Sequence, residues 1–221
     1  MYQYVIFDLD GTLAYTLQDL ANAVNYALEK QGFSPYPTED YRQMVGSGAI
    51  NLLKRASKTD DESIIALLKN DFDSYYALHY TDTLKPYRGM TEMLKRLQDR
   101  GIKMGVLSNK PDRFVSDILY YLYPEIHFSA MWGKKENFPV KPDPKSFEAL
   151  MREMGADKEQ SVYVGDSNVD VQTAKNGGVN FLGCAWGFRG KEELIKSGAL
   201  VENIADDAET LEKLIVGEEF E

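Results

Sequence analysis

Short apolar runs alternate with amphipathic helical segments over residues 91–216 of this 221-residue chain. Each apolar run is too short for a helix and lies between turn residues, which is typical of a buried strand. These runs are IKMGVL, HFSAM, SVYVG, NFLGCAW and LVEN. Alternating strands and helices predict a parallel sheet with helices on both faces, so the expected fold class is α/β, a doubly wound, Rossmann-like core. The run YVIF at residues 4–7 predicts a further strand of this sheet.

Residues 15–84 have a helical periodicity instead, and they predict a small four-helix insert after the first strand. Thr16 with Asp19 matches an N-terminal capping signature for the first helix. Further helices are expected from Thr38, over 49–56 and over 61–79. The predicted domains are therefore a core of residues 1–14 and 85–221, and a helical domain of residues 15–84.

The composition excludes several classes of protein. The chain has 25 Lys+Arg and 35 Asp+Glu, a net charge of −10, which argues against a nucleic-acid partner. No apolar run approaches the ~20 residues of a membrane span, and the N-terminus lacks the features of a signal peptide, so no membrane partner is expected. The single cysteine, Cys184, cannot form an internal disulfide, which favours a cytoplasmic location.

Polar residues follow the predicted strands at their carboxyl ends, where open parallel sheets bind ligands. They are Asp8, Asp10, Ser108, Asn109, Lys141, Asp166 and Asp170. Taken singly, most have an ordinary explanation, since serine caps helices and Gly-Asp-Ser is a common turn. The motif Asp-x-Asp-Gly-Thr is more specific, with a chance frequency on the order of once in 10³ chains of this length. These residues fall into four groups along the chain, and each group follows the kind of element that a shared site requires. The groups are Asp8 with Asp10, Ser108 with Asn109, Lys141, and Asp166 with Asp170.

This order resembles the phosphatase branch of the haloacid dehalogenase superfamily. The helical insert resembles the cap domain that follows the first strand in that branch. MVGSGAINLLKRA is similar to the cap segment of phosphoglycolate phosphatases, and WGFRGKEELIKSGALVEN is similar to their C-terminal stretch. The resemblance implies a magnesium-dependent phosphomonoester hydrolase that forms a phospho-enzyme. One departure is Tyr15, at the hinge into the cap, where relatives commonly carry an acidic residue.

The resemblance also implies a role for each site residue. Asp8 would attack phosphorus, and Asp10 would protonate the leaving oxygen and then activate water. Magnesium, which favours carboxylates and phosphate oxygens, would bind Asp8, the main-chain carbonyl of Asp10 and Asp166. Asp170 would support a metal-bound water or orient Lys141. Lys141 and the Ser108 hydroxyl would hold the transferring oxygens, with backbone amides near Gly11 and Asn109 as further donors.

The substrate is expected to be a small phosphate ester, with 2-phosphoglycolate the best guess. Its carboxylate would need a cation from the cap, for which Arg42, Lys54 and Arg55 are candidates, although such residues are usually solvated. Pyrophosphate, nucleotides and sugar phosphates fit the same core, and the chain is expected to be a monomer or a homodimer. A phosphomutase is disfavoured by Thr12, a dehalogenase by Asp10, and a non-catalytic binding protein by the intact site. His79 and His127 are interpreted as structural residues.

Overall fold

The computed structural model describes residues 1–218, which divide into two compact units. One unit consists of Met1–Ala14 and the chain from Pro86 onward, and the other is Tyr15–Lys85. The strands are β1 (Tyr4–Phe7), β2 (Ala14–Tyr15), β3 (Lys85–Pro86), β4 (Lys103–Pro111), β5 (Phe128–Lys134), β6 (Ser161–Gly165), β7 (Asn180–Cys184) and β8 (Ile204–Ala205). The helices are α1 (Leu17–Lys30), α2 (Ala49–Ser57), α3 (Glu62–His79), α4 (Met90–Asp99), α5 (Asp112–Leu122), α6 (Pro144–Met154), α7 (Asn168–Gly177), α8 (Gly190–Lys196) and α9 (Ala208–Val216).

The first unit is built on a six-stranded sheet in the order β5-β4-β1-β6-β7-β8, with every neighbouring pair parallel. The predicted α/β fold class is confirmed. β1 lies at the centre, with β4 on one side and β6 on the other, and its residues Val5, Ile6 and Phe7 are fully buried. The strand order reverses direction at β1, so the carboxyl end of β1 is the switch point at which such sheets bind ligands.

Local signals set both ends of α6. The Asp143 side chain accepts a hydrogen bond from the Lys145 amide at 3.0 Å, and Pro144 occupies the first turn. Gly155 ends the helix in the left-handed region, with φ of 61°.

The expected strand LVEN is wrong. Val201–Asn203 form a 3₁₀ turn, and the last strand of the sheet is the two-residue β8 that follows. Leu200 and Val201 are 58% and 54% exposed, so these apolar residues do not face the core. Ile204 and Ala205 are buried and pair with β7, which moves the strand beyond the predicted segment.

The second unit contains three α-helices, α1 to α3, and a 3₁₀ helix at Thr38–Gln43 where an α-helix is expected. Eight residues separate Pro37 from Gly46, and in so short a segment a 3₁₀ helix competes well with an isolated α-helix. Thr16 is the N-cap residue of α1, where the Thr16–Asp19 capping signature predicts the helix start, but it makes no side-chain capping bond. The buried Asp19 carboxylate instead accepts bonds from Thr83, at 2.7 Å from the hydroxyl and 3.0 Å from the amide.

Asp71 links α3 to the end of α1 within the second unit. Its two carboxylate oxygens accept hydrogen bonds from Lys30 and Gln31, each at 2.6 Å. Among residues 1–218, no helix combines the length and apolar character that a membrane crossing requires.

Candidate active site

Three buried carboxylates converge beyond the carboxyl ends of the central strands. Asp8 follows β1, Asp166 follows β6, and Asp170 lies in the first turn of α7. Each offers a ligand oxygen, and these oxygens lie within 4.8 Å of one another. The in-register pairing of β1 with β6 explains the convergence, because the Asp8 amide donates to the Val164 carbonyl at 2.8 Å.

Lys141 neutralises part of this charge from inside the cluster. Its Nζ lies 2.9 Å from Asp8 Oδ1 and 2.8 Å from Asp170 Oδ1, and its side chain is almost fully buried. The ammonium also donates to the Tyr163 hydroxyl at 2.9 Å. A lysine that looks like a solvated loop residue in the sequence therefore lies beside the candidate nucleophile.

Asn109 holds the Lys141 loop against the end of β4. The Asn109 amide nitrogen donates to the Lys141 carbonyl at 3.1 Å, and the Lys141 amide donates to Asn109 Oδ1 at 2.8 Å. This reciprocal pair of hydrogen bonds has no signal in the sequence. It positions the Lys141 main chain from a residue 32 positions earlier in the chain.

Asp166 is held by donors on one side and glycines on the other. Its carboxylate accepts bonds from the Phe188 amide at 2.7 Å and the Thr12 hydroxyl at 3.3 Å. A Cβ at Gly11 would lie 2.4 Å from Asp166 Oδ2, and one at Gly187 would lie 2.1 Å from the Asp166 Cβ. The loop after β7 thus contributes to the site.

Asp170 closes the first turn of α7 and also meets Lys141. Its Oδ2 accepts bonds from the Ser167 hydroxyl at 2.6 Å and the Ser167 amide at 3.1 Å, and Oδ1 faces Lys141. A carboxylate held from both sides in this way keeps the lysine ammonium in a fixed position.

The electrostatics of the cluster favour a bound cation. Burial raises the pKa of Asp8 to about 7, with Lys141 opposing the rise and Asp170 adding to it. Burial, followed by the charges of Asp170 and Asp8, raises the pKa of Asp166 well above its ordinary value. For Lys141, burial alone would lower the pKa, but the carboxylates of Asp170 and Asp8 raise it well above the usual value. One lysine does not compensate the three carboxylates.

Comparison with known proteins identifies the family. The model of the haloacid dehalogenase-like hydrolase family matches residues 5–184. Phosphoglycolate phosphatase of Pseudomonas fluorescens (strain Pf0-1) is 34% identical over 220 residues, covering 96% of this chain and 78% of the relative. The chain belongs to the haloacid dehalogenase-like hydrolases. Within that family it is a phosphatase.

Solved structures of this family have the same fold. A crystal structure from Lactobacillus delbrueckii subsp. bulgaricus has a TM-score of 0.91 and 33% identity, covering 98% of this chain and 99% of the other. A predicted phosphoglycolate phosphatase from Haemophilus somnus has a TM-score of 0.85 and 28% identity, covering 98% of each chain.

Sequence reasoning missed one charged residue of this phosphatase. Lys110 follows Ser108 and Asn109 in β4, and its side chain is only 2% exposed. Its Nζ lies 2.9 Å and 3.2 Å from the two carboxylate oxygens of Asp10. The Ser108 hydroxyl accepts a hydrogen bond from the Lys110 amide at 3.3 Å. The available signal was the position of Lys110 at the carboxyl end of a predicted strand.

The three cap cations each have a partner within the second unit. Arg42 bonds Glu39 at 2.5 Å, and Lys54 pairs with Asp60 at 3.0 Å. Arg55 donates to the Met44 carbonyl at 2.6 Å and to the Ser47 hydroxyl at 3.2 Å, which braces the Gly-containing segment before α2. His79, interpreted as structural, lies beside Asp82 in the same unit.

Proposed function

We propose that this phosphatase hydrolyses small phosphate monoesters in a Mg²⁺-dependent reaction, through an aspartyl-phosphate formed on Asp8. The observation that carries the proposal is the buried cluster of Asp8, Asp166 and Asp170, with the Lys141 ammonium paired to Asp8 and Asp170. The switch point of the sheet is where such folds bind ligands. A fixed cation there would orient a phosphate ester for attack by the neighbouring carboxylate.

The residues present fit a divalent metal. Asp8 Oδ1 is buried and accepts no hydrogen bond from the described residues, although Lys141 Nζ lies 2.9 Å away. Burial raises the pKa values of Asp8 and Asp166, so a further positive charge beside them would favour their ionised forms. Asp8, Asp166 and the main-chain carbonyl of Asp10 would hold Mg²⁺, with Asp170 in support. The ion would supply positive charge that offsets the carboxylates and the phosphate oxygens.

Two carboxylates then have separate tasks: Asp8 attacks phosphorus, and Asp10 transfers protons. An Asp8 oxygen attacks phosphorus as the bond to the ester oxygen breaks, and Asp10 gives its proton to that oxygen, so the alcohol leaves. Asp10 then takes a proton from water, whose oxygen attacks phosphorus as the bond to Asp8 breaks and phosphate leaves. Lys141 and the Ser108 hydroxyl hold the transferring oxygens, where fixed donors stabilise the transition state.

We take 2-phosphoglycolate as the substrate because relatives that match 96% and 89% of this chain are named phosphoglycolate phosphatase. A cation of the helical unit would bind its carboxylate, and Arg42, Lys54 and Arg55 remain the candidates. Because Arg55 already donates to a main-chain carbonyl, its contribution would include holding the 44–48 segment in place. We place the reaction in the cytoplasm, which suits the single buried thiol of Cys184.

The nucleophile is tested with Asp8→Asn and p-nitrophenyl phosphate. Turnover should be abolished, whereas Asp117→Asn, which removes an exposed carboxylate from α5, should leave it unchanged. Acid quenching of the wild type should leave phosphate on the peptide that contains Asp8. EDTA should stop the reaction and Mg²⁺ should restore it. Near-normal turnover by Asp8→Asn would refute the nucleophile, and insensitivity to EDTA would refute the metal.

The substrate is tested with a panel of phosphorylated metabolites assayed with Mg²⁺. 2-Phosphoglycolate should have the highest kcat/KM, and Arg42→Ala and Arg55→Ala should raise its KM without changing the KM for p-nitrophenyl phosphate, which lacks a carboxylate. A better substrate among nucleotides or sugar phosphates would replace the substrate assignment. An unchanged KM would remove the arginine from it.

A further inference from the structure

We propose that Lys110 is a positioning residue for Asp10, fixing the plane of the acid–base carboxylate against the leaving oxygen. This inference rests on the proposed function. It assigns a task to Lys110, a second buried lysine of the core, which pairs with Asp10.

The contact is built from both sides. The Lys110 side chain is 2% exposed and that of Asp10 is 14% exposed, so both charges are largely removed from water. A buried ammonium requires a paired acceptor, because an unpaired charge in a protein interior is strongly disfavoured. Nζ lies 2.9 Å from one Asp10 oxygen and 3.2 Å from the other. Bridging both oxygens fixes the rotation of the carboxylate, which a single hydrogen bond would leave free.

The main chain on each side is already rigid. Gly11 donates to the Ala14 carbonyl at 3.0 Å, and the amides of Leu13 and Ala14 donate to the Leu9 carbonyl, each at 3.0 Å. This turn fixes the Asp10 main chain, and the contact with Lys110 acts on its side chain. Lys110 extends from β4, which is paired with β1 on one side and β5 on the other. The ion pair therefore joins two fixed segments 100 residues apart in the chain.

The two buried lysines thus serve different carboxylates. Lys141 meets Asp8 and Asp170, whereas Lys110 meets Asp10. A cation on Asp10 acts on the group that protonates the leaving oxygen. A cation that held the transferring phosphate would act on every ester alike. These two roles give different dependences on the leaving group.

The leaving group therefore provides the test. An alkyl alcohol leaves only with a proton, whereas p-nitrophenolate is stable without one, so a misplaced general acid slows alkyl esters selectively. The parameter to compare is kcat/KM, which reports transition-state stabilisation relative to free enzyme and substrate. Water attack on the phospho-enzyme is common to all esters. Because it follows release of the alcohol, it does not affect kcat/KM.

The experiment compares wild type, Lys110→Met, Lys110→Arg and the control Lys175→Met in the intact chain with Mg²⁺. Lys175 is exposed at the far end of α7. Lys110→Met should lower kcat/KM for 2-phosphoglycolate by about 10²-fold, and at least about tenfold more than for p-nitrophenyl phosphate. Lys110→Arg, which keeps the charge, should recover part of the loss on 2-phosphoglycolate. Lys175→Met should match the wild type on both esters.

A double-mutant cycle provides a second test if Lys110→Met alone does not fold. Asp10→Asn with Lys110→Met removes both buried charges together. Because Lys110 acts through Asp10, adding Lys110→Met to Asp10→Asn should cost about threefold or less in kcat/KM. Additive losses would overturn the positioning role, as would equal losses on both esters from Lys110→Met, which would make Lys110 a phosphate contact.

Failure of the proposed function has a different signature. If the wild type hydrolyses p-nitrophenyl phosphate but not 2-phosphoglycolate, the substrate assignment fails and β-glycerophosphate serves as the alkyl ester for the Lys110 comparison. If the wild type hydrolyses none of these esters, the proposed function is refuted and the role of Lys110 falls with it.

Discussion

Replacing Gly11 with alanine should disable the site through Asp166, not through Asp8 or Asp10. Gly11 has φ of +87°, a conformation that disfavours any Cβ, and its Cβ would lie 2.4 Å from Asp166 Oδ2. An ordinary contact begins near 3.4 Å, so the carboxylate would have to move by about 1 Å. It cannot do so freely, because the Phe188 amide and the Thr12 hydroxyl hold it.

The magnitude divides into two parts. The positive φ alone costs about 1–2 kcal/mol with alanine. Displacing Asp166 also strains its hydrogen bond from the Phe188 amide, and a bond to a charged group contributes about 1.5–3 kcal/mol. Gly11→Ala should therefore lower the free energy of unfolding by about 2.5–5 kcal/mol. A displacement of ~1 Å at a catalytic group costs about 10²-fold in rate.

Gly101 provides the matched control. Its φ is +75°, and nothing lies within 4 Å of its Cβ position, so Gly101→Ala carries the conformational cost without the clash. Urea unfolding measures stability, and p-nitrophenyl phosphate hydrolysis over a Mg²⁺ titration measures the site. Gly101→Ala should lose stability but keep wild-type kcat/KM. Equal kcat/KM and Mg²⁺ dependence for the two folded variants would refute the argument from Asp166.

Three further changes test the electrostatics and the loop. Because burial raises the pKa of Asp8 to about 7, its ionisation disfavours the metal-free folded state as pH rises from about 4 to 7. Asp8→Asn should therefore gain about 2–4 kcal/mol in urea unfolding with EDTA at pH 8 and little at pH 4; an equal gain at both would contradict this. Asn109→Ala, which removes both bonds to the Lys141 main chain, should lower kcat/KM for p-nitrophenyl phosphate by roughly 10–100-fold, and a wild-type value would show that the loop holds itself. Hydrogen bonds from Lys30 and Gln31 lower the pKa of Asp71, so its stabilisation is complete above the ordinary carboxyl pKa and is lost as pH falls through the lowered value. The difference in Tm between wild type and Asp71→Asn should accordingly shrink from pH 7 to pH 3, and a constant difference would oppose this.

Local patterns in the sequence determined the fold class and the phosphatase family. A strand or an amphipathic helix is encoded by the spacing of apolar residues within one segment, which is why SVYVG at 161–165 and the α6 start at Asp143–Pro144 were predictable. The motif Asp-x-Asp-Gly-Thr likewise lies within five consecutive residues. The strand predicted at LVEN failed because its apolar residues pointed outward, and only packing determines which side of a segment faces the core.

The tertiary structure alone decided which polar groups meet. Asp19 matched a local capping signature, yet its carboxylate bonds Thr83, 64 residues later. Lys110 carries no local mark of its partner, because Asp10 lies 100 residues earlier and the two approach only when β4 pairs with β1. Hydrogen bonds and ion pairs depend on distances of about 3 Å in space, and a single sequence records only separation along the chain.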